Sequence, residues 1–219
     1  MSQLRDLKLT TKEEIMNYSL FYNYKLIGDI LMVVFDNETI PTSKEVDGDV
    51  VKIYAGDKLI GVNIFNFSEV VKIKSNGLIP LPHNTLIDVI NNIFKNHNLD
   101  CLDYKTESGF KIGKILTVDE HPESTHLHIL KVDVGSEILD IVCGAANVAE
   151  NAIVVVATVG TTMFDGTVIK PGKLLGEVSN GMCCSERELN LTDDQTKRGL
   201  LLLDDSYVVG SDFFNISAN

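Results

Sequence analysis

Apolar and polar positions follow different periodicities in the two halves of the chain. In the first half, the apolar run 30–35 ends at Asp36-Asn37, which predicts a strand followed by a turn. Two further apolar segments, 50–54 and 59–65, flank Ala55-Gly56-Asp57-Lys58, and this arrangement is typical of a β-hairpin. A weaker helical pattern covers residues 11–16.

A longer helix is predicted after Pro82, where Asn84 or Thr85 can cap it. Apolar residues then recur at helical spacing and form one stripe: Leu86, Ile87, Val89, Ile90, Ile93 and Phe94. Asn91, Asn92 and Lys95 fall outside the stripe and are expected to face solvent. Residues 1–100 are therefore predicted to form an α+β domain, and nothing in them resembles a catalytic motif.

The second half is predicted to be almost entirely β. Strands are expected at 110–118, 127–134, 138–143 and 153–158, with a fifth around 167–169. Five short strands joined by glycine-bearing turns in about 80 residues suit an oligonucleotide-binding (OB) Greek-key barrel, here predicted over residues 110–210. Gly113 is expected to supply the bulge that closure of the barrel requires.

The polar stretch 101–109 is predicted to be a linker between the two domains, with Ser108-Gly109 as its hinge. The fold class is thus mixed: an N-terminal α+β domain followed by an all-β OB-fold barrel.

Charge and hydropathy narrow the classes of function. The chain has 19 basic and 31 acidic residues, a net charge of −12, so it should repel a polyanion at long range. Any RNA binding must therefore come from a local site with its own geometry. The strongest apolar run, 153–157, is far shorter than the ~20 residues of a membrane helix, and the start of the chain lacks an apolar signal core. No membrane association and a cytoplasmic location are expected.

The cysteines and histidines do not predict a metal site. Cys101, Cys143, Cys183 and Cys184 include no CxxC pair, so buried free thiols are expected. His126 and His128 share one face of a strand, but no carboxylate or cysteine at ligand spacing completes a site. We expect neither a metal nor a cofactor.

Several motifs, in a fixed order, carry a resemblance to a known family. They are Lys111-Ile112-Gly113-Lys114-Ile115, His121-Pro122, Lys131-Val132-Asp133-Val134-Gly135, Cys143-Gly144-Ala145-Ala146-Asn147-Val148, and Ser179-Asn180-Gly181-Met182 with Cys184-Ser185-Glu186-Arg187-Glu188-Leu189. Residues 110–192 resemble the tRNA-binding domain found in stand-alone tRNA-binding proteins, in some methionyl-tRNA synthetases, in cytokine-like synthetase cofactors and at the N-terminus of the phenylalanyl-tRNA synthetase β subunit. The last two blocks look most like the β-subunit version. The two-domain layout resembles the free-standing bacterial proteins of the YtpR family.

The resemblance implies a tRNA ligand and a set of site residues on the barrel face. That set is Lys114, His121, His126, Asn147, Ser179, Asn180, Met182 and Ser185. Three positions depart from the family pattern. His126 stands where the family usually has a lysine, preceded by Thr125 instead of an acid, and Asn180 replaces an acid. Imidazole is mostly neutral at pH 7, so His126 predicts weakened but not abolished RNA binding.

Each candidate residue also has a structural interpretation. His121 before Pro122 can simply end a strand, with base stacking as the alternative. Asn147 can bond its own turn instead of a ligand. The Ser179–Met182 segment can be a turn in which Gly181 supplies a positive φ and Met182 packs inward. The cations Lys111, Lys114, Lys131, Lys170, Lys173 and Arg187 are either scattered or gathered on one face, and Lys197-Arg198 could extend such a face.

Three classes of function compete. The leading one is a non-catalytic tRNA-binding protein that uses stacking and hydrogen bonds more than charge. The second is a protein-interaction or chaperone-like docking module that associates with a synthetase or other translation protein, because an acidic surface suits protein partners. The resemblance also implies a homodimer. An enzyme is not expected, because no nucleophile elbow, phosphate-binding glycine loop, metalloprotease helix or adenylation signature occurs.

Overall fold

The computed structural model describes residues 17–194 and 196–215. The helical pattern at 11–16 lies outside the described residues. Within them, the strands are β1 Ser19–Tyr22, β2 Ile30–Val34, β3 Ser43–Asp47, β4 Val50–Ala55, β5 Lys58–Phe65, β6 Gly77–Ile79, β7 Phe110–Glu120, β8 His128–Asp133, β9 Ile138–Cys143, β10 Ile153–Thr158, β11 Gly172–Leu174, β12 Glu177–Ser179, β13 Gly181–Cys183 and β14 Leu202–Leu203. The α-helices are α1 Tyr24–Ile27 and α2 Asn84–Asn96. Single 3-10 turns occupy Phe67–Glu69 and Phe213–Asn215.

The first unit is an antiparallel sheet covered by one helix. Its six strands follow the order β3-β4-β5-β2-β1-β6. The predicted hairpin is the β4–β5 pair, with Ala55 opposite Lys58. Ile87, Ile90 and Phe94 of α2 are fully buried against the sheet, as the apolar stripe predicts. This unit confirms the expected α+β class.

Two details of α2 differ from the prediction. The residue that caps it is His83, whose Nδ1 accepts a hydrogen bond from the Thr85 N–H, one residue before the expected caps. Asn91 does not simply face solvent, because its side-chain amide bonds both the N–H and the C=O of Leu102. This pair ties the end of the first unit to the helix.

The second sheet curls into an OB-like barrel. Its hydrogen-bonded order is β13-β10-β7-β8-β9, and the Asn180 N–H donates to Asp140 O at 2.8 Å on β9 to close the ring. The strand order around the barrel is therefore β7-β8-β9-β13-β10, which is the Greek-key pattern of an OB fold. Ile115, Leu130, Val132, Ile141 and Val154 fill the interior with no exposed surface.

Strand assignments in the barrel are largely confirmed, with one error. The expected fifth strand at 167–169 is only an isolated bridge between Thr162 and Val168. The strand that completes the barrel is β13, three residues long, and it carries part of the Ser-Asn-Gly-Met motif. A segment this short with little apolar periodicity leaves no strand signal in the sequence.

Gly113 has a different role from the one expected. The register shift in β7 lies between Ile115 and Thr117, not at Gly113. A Cβ at Gly113 would lie 2.8 Å from Val156 Cγ2 and 2.9 Å from Val132 Cγ1. Only glycine fits there, because the barrel interior leaves no room for a methyl group.

The two units pack together. Phe21 and Leu78 of the first unit share an apolar cluster with Phe110 and Met163 of the second. Ser19 Oγ and Thr162 Oγ1 are 2.8 Å apart, and Lys170 forms an ion pair with Glu38. The relative position of the units is therefore defined by both apolar and polar contacts.

The segment predicted to be a hinge is held at both ends. The Tyr18 hydroxyl donates to Asp103 O at 2.6 Å. Ser108 donates from its N–H and its hydroxyl to the Asp212 carboxylate, at 2.6 and 2.9 Å. Gly109 O accepts hydrogen bonds from Thr158 and Thr161. Ser108-Gly109 is thus held by hydrogen bonds to the barrel and does not have the structure of a free hinge.

Three of the four cysteines are buried free thiols and Cys101 is exposed. Burial raises the pKa of the Cys184 thiol to about 12, and it also raises the pKa values of Cys143 and Cys183. Among the described residues, no helix has the length and apolar character needed to cross a membrane.

Candidate nucleic-acid interface

His121 joins the loop 121–127, between β7 and β8, to the β11–β12 hairpin. Its Nδ1 accepts from the Glu123 N–H at 3.1 Å, so the ring proton is assigned to Nε2, which donates to Leu174 O at 3.2 Å. The residue is only 4% exposed. With both nitrogens engaged and the side chain buried, the geometry favours the structural interpretation of His121 over the alternative of base stacking. Its side chain instead fixes the position of two loops that OB folds use for ligands.

A polar cavity of about 760 Å³ lies in the same loop. Its lining residues are Glu120, His121, Pro122, Glu123, Ser124, Thr125, Leu127 and His128. The Nδ1 atom of His128 is buried and has no hydrogen-bond partner among the described residues. Such a nitrogen can bond a ligand group, because an unpaired buried polar atom costs free energy until it finds a partner. The sequence drew attention to His128 only as a metal ligand, so this role was missed.

His126 projects from the rim of the loop. Its side chain is exposed, and its N–H donates to Ser124 Oγ at 3.2 Å, which fixes the turn that precedes β8. Within 17–194 and 196–215, no group of three or more His, Cys, Asp or Glu residues is arranged to hold a metal ion. His126 is therefore placed as a free surface imidazole beside the cavity.

The Ser-Asn-Gly-Met motif connects β12 to β13 at the closure of the barrel. Ser179 Oγ accepts from the Val142 N–H at 3.1 Å and donates to Gly181 O at 3.3 Å. Asn180 is half-buried, and its side-chain amide has no hydrogen bond within the described structure, which leaves the amide free for a ligand. Of this motif, Asn180 is the residue best placed to bind a ligand.

Gly181 does not adopt the left-handed backbone that a simple turn would require. A Cβ at this position would instead lie 3.2 Å from both Ala157 O and Ile141 Cδ1, so the glycine allows close strand packing. Met182 is half-buried against the apolar cluster shared by the two units. The inward packing of Met182 was one of the two sequence interpretations, and the positive φ of Gly181 was not found.

Asn147 and Ser185 hold the backbone of the barrel. Asn147 does not bond its own turn: Oδ1 accepts from the Leu200 N–H at 2.8 Å and Nδ2 donates to Leu200 O at 3.0 Å. Ser185 is buried, and its N–H and hydroxyl both donate to the Glu188 carboxylate at 2.7 Å. These hydrogen bonds give both residues a positioning role, and the direct RNA contact that the resemblance implies stays a prediction.

Lys114 lies apart from the other candidates. In the β7–β8 ladder, Lys114 lies opposite Asp133 in the strand register at one end, whereas Glu120 lies opposite His128 at the other. Five residue steps along β8 span the two ends, a distance of roughly 17 Å at about 3.3 Å per residue. His121 and His126 therefore lie at the Glu120–His128 end of this ladder, Ser179 lies against Val142 on β9, and Lys114 lies at the opposite end of the ladder.

Most lysines near the barrel are neutralised by acidic partners. Lys111 pairs with Glu107, Lys131 with Asp140, and Lys197 with Glu186, at 2.7–2.8 Å. The hydrogen bond from Lys131 to Asp140 raises the pKa of the lysine, which keeps it charged but locally compensated. The outer face of β8 and β9 also carries Asp133. This face, which OB folds commonly present to oligonucleotides, is not a positive groove.

Comparison with known proteins places the two units in sequence families. A family model described as "Putative tRNA binding domain" matches residues 110–212, and a domain of unknown function matches residues 37–101. The "Putative tRNA-binding protein YtpR" of Bacillus subtilis is 38% identical over 196 residues, which is 88% of this chain and 98% of that protein.

Phenylalanine–tRNA ligase β subunits match the barrel alone. The one from Nitratidesulfovibrio vulgaris is 50% identical over 101 residues, and the one from Porphyromonas gingivalis is 54% identical over 87 residues. These alignments cover 46% and 38% of this chain but only 12% and 11% of the ligase subunits. The likeness to the ligases is therefore confined to one domain of a much longer protein.

Proposed function

Because the chain belongs to the family of the tRNA-binding protein YtpR, we propose that it is a non-catalytic tRNA-binding protein whose barrel carries the RNA site. One observation supports this function most directly. His121 joins the loop between β7 and β8 to the β11–β12 hairpin in the connection from β10 to β13, the two loops that OB folds use for ligands, and the β12–β13 junction adds the unpaired amide of Asn180. Recognition there rests on hydrogen bonding and shape, since the nearby lysines are paired with acids.

The proposed contacts follow from exposure and free hydrogen-bonding groups. His126 at the rim and the Asn180 amide meet the RNA directly, and the cavity lined in part by His128 takes a base edge or a 2′-hydroxyl. His121, Asn147, Ser179 and Ser185 position these groups. Met182 packs behind the motif, and Lys114 adds charge from a distance. This assignment divides the predicted set into binding residues and positioning residues.

Filter binding of total tRNA tests the proposal. Wild-type protein is expected to retain tRNA at low salt and lose it as salt rises. Asn180→Ala removes an amide with no intramolecular bond, so it is expected to weaken binding about 5-fold or more with little change in stability. The exposed helical residue Asn92 provides the control Asn92→Ala, which removes the same group elsewhere. No retention of tRNA by the wild type at micromolar protein would refute the function.

One observation favours a second candidate function. Ile138 is 57% exposed on the outer face of β9, beside the acidic residues Asp133 and Asp140. A face that mixes apolar and acidic groups suits a protein partner better than RNA. We propose a translation protein such as a synthetase as this partner, with the protein located in the cytoplasm beside tRNA. Ile138→Asp would then abolish co-purification with the synthetase in nuclease-treated extract while tRNA binding persists.

A homodimer remains a prediction of the family resemblance. Light scattering across a concentration series measures the mass directly, and a mass that stays near the 24.1 kDa of one chain would exclude it.

A further inference from the structure

A second cavity, of about 450 Å³, opens where β9 ends and the segment 198–200 returns to the barrel. Gly144, Ala145 and Gly199 form part of its wall, together with Arg187 and Arg198. The small residues leave space directly beside the two guanidinium-bearing side chains. The cavity therefore offers two fixed charges and room for a compact ligand.

The concentration of arginine is unusual for this chain. The sequence contains three arginines, and two of them line this one cavity although the net charge is −12. Within the described ranges, neither guanidinium forms an ion pair or hydrogen bond, whereas Lys111, Lys131, Lys170 and Lys197 are all paired with acids. Lys114 and Lys173 also lack ion-pair partners among the described residues, but they do not line this cavity. Two of the four unpaired cations among the described barrel residues thus share this one cavity.

The fold places each arginine through a specific local structure. Arg187 lies in a turn that is closed by reciprocal bonds, because the Ser185 N–H donates to the Glu188 carboxylate and the Glu188 N–H donates to Ser185 Oγ. Glu188 also lines the cavity, but its carboxylate is already engaged by these bonds. The acid on the wall therefore does not pair with the arginines.

Arg198 is placed by the neighbouring Gly199-Leu200. Asn147 holds both backbone polar atoms of Leu200, and Gly199 has a φ of +104° against the same amide. A Cβ at Gly199 would lie 2.7 Å from Asn147 Oδ1, so this approach requires glycine. The segment that carries Arg198 is fixed to the wall of the cavity.

The cavity adjoins the site proposed above. Gly144 sits against the β7–β8 loop, because a Cβ there would lie 3.3 Å from Leu127 Cδ2. Leu127 lines the cavity that contains the His128 ring, and Val142, which bonds Ser179, lines the arginine cavity. An RNA strand bound at the first site would therefore also lie close to the two arginines.

We infer that Arg187 and Arg198 form an anion site for a phosphodiester group of the bound RNA. Guanidinium groups suit this ligand, because their planar donors match phosphate oxygens in a bidentate geometry. The inference rests on the proposed tRNA-binding function and supplies the local positive charge that an acidic chain needs to hold a polyanion.

Salt-dependent tRNA binding tests the site. Arg187→Ala and Arg198→Ala are each expected to weaken binding about 5- to 10-fold at low salt and to reduce the slope of log K against log salt by about one. Lys197→Ala is the matched control, because it removes the same charge beside Arg198 from a lysine already paired with Glu186. Its expected effect is less than about 2-fold. Arginine variants that bind like the wild type, or a Lys197→Ala loss of equal size, would overturn the inference.

A second measurement separates this inference from the proposed function. Inorganic phosphate is titrated into nitrogen-15-labelled protein while the arginine Hε resonances are followed, and the two variants assign the signals. Saturable shifts of Arg187 and Arg198 are expected. If these shifts occur but wild-type protein fails to bind tRNA, the anion site stands and the proposed function fails. If tRNA binds but neither resonance moves and neither variant weakens binding, the function stands and the anion site fails.

Discussion

The side-chain amide of Asn147 pairs with both backbone polar atoms of Leu200, 53 residues further along the chain. Through this pair, the turn after β9 holds the segment that returns from Arg198 to the barrel. The amide thus performs a structural task at a position where the family resemblance implies a ligand contact.

Replacing Asn147 with alanine is expected to lower the free energy of unfolding by about 1–3 kcal/mol, because two hydrogen bonds are lost and Leu200 is buried. Urea denaturation measures the loss, and faster amide hydrogen exchange at Leu200 locates it. Asn92→Ala, on the exposed face of α2, should change stability by less than about 0.5 kcal/mol. Equal effects of the two substitutions would contradict the structural role of Asn147.

The substitution His126→Lys should strengthen tRNA binding. It restores a fixed positive charge at the exposed rim of the loop, where the family pattern usually has lysine. We expect a several-fold gain in affinity at low salt and a steeper salt dependence, by up to about one unit of slope.

The control for this gain is Asn96→Lys, which adds the same charge at the exposed end of α2. If both lysines increase affinity equally, the effect reflects only net charge, and the rim of the loop is not close to the bound RNA.

Gly113→Ala should destabilise the barrel by about 1–3 kcal/mol, because the added methyl group overlaps Val132 and Val156 in a packed interior. Thermal or chemical unfolding monitored by circular dichroism measures this cost. Gly172→Ala is the comparison, since a Cβ at Gly172 meets no atom within 4 Å and its φ is not in the left-handed region. A Gly113→Ala protein as stable as Gly172→Ala would show that the barrel relaxes around the methyl group.

Asp29 gives the first unit a defined pH dependence. Burial alone would raise the pKa of this carboxyl group, but hydrogen bonds from Ser68 and Tyr22 outweigh burial, and the net pKa is lowered. A lowered folded-state pKa means that the stabilisation is fully present above the unfolded value of about 3.9 and is lost as the pH falls towards the folded value. The stability gap between wild type and Asp29→Asn should therefore be constant from about pH 5 to 7.

Below about pH 4 this gap should shrink, as urea unfolding at a series of pH values will show. Asp57→Asn, at the tip of the β4–β5 hairpin, is the control for removal of one acidic charge. A gap that widens at low pH would mean that the hydrogen bonds do not favour the charged form of Asp29.

Periodicity predicted the elements whose burial follows a regular repeat. The α2 stripe and the strands of the β4–β5 hairpin were found within one or two residues, because α2 buries apolar residues at helical spacing and β4 and β5 are apolar segments bounded by turn residues. The three-residue β13 was missed because it completes the barrel through backbone pairing with β10, not through an apolar pattern of its own.

The site was harder to predict than the fold, because its residues act across long sequence separations. His121 bonds Leu174 and Asn147 bonds Leu200, each 53 residues away, and no local pattern encodes such partners. The two cavity arginines were visible as cations in the sequence. Only the fold shows that they share one wall while the lysines around them are paired.

The hydrogen bonds at Ser108-Gly109 fix the orientation of the two units relative to each other. Because hydrogen bonds to Asp103 and Asp212 hold the two ends of the connecting segment, an RNA bound to the barrel would have one orientation relative to the first sheet. For the same reason, we expect the segment between the units to resist cleavage, so that limited proteolysis leaves the two units connected in one fragment.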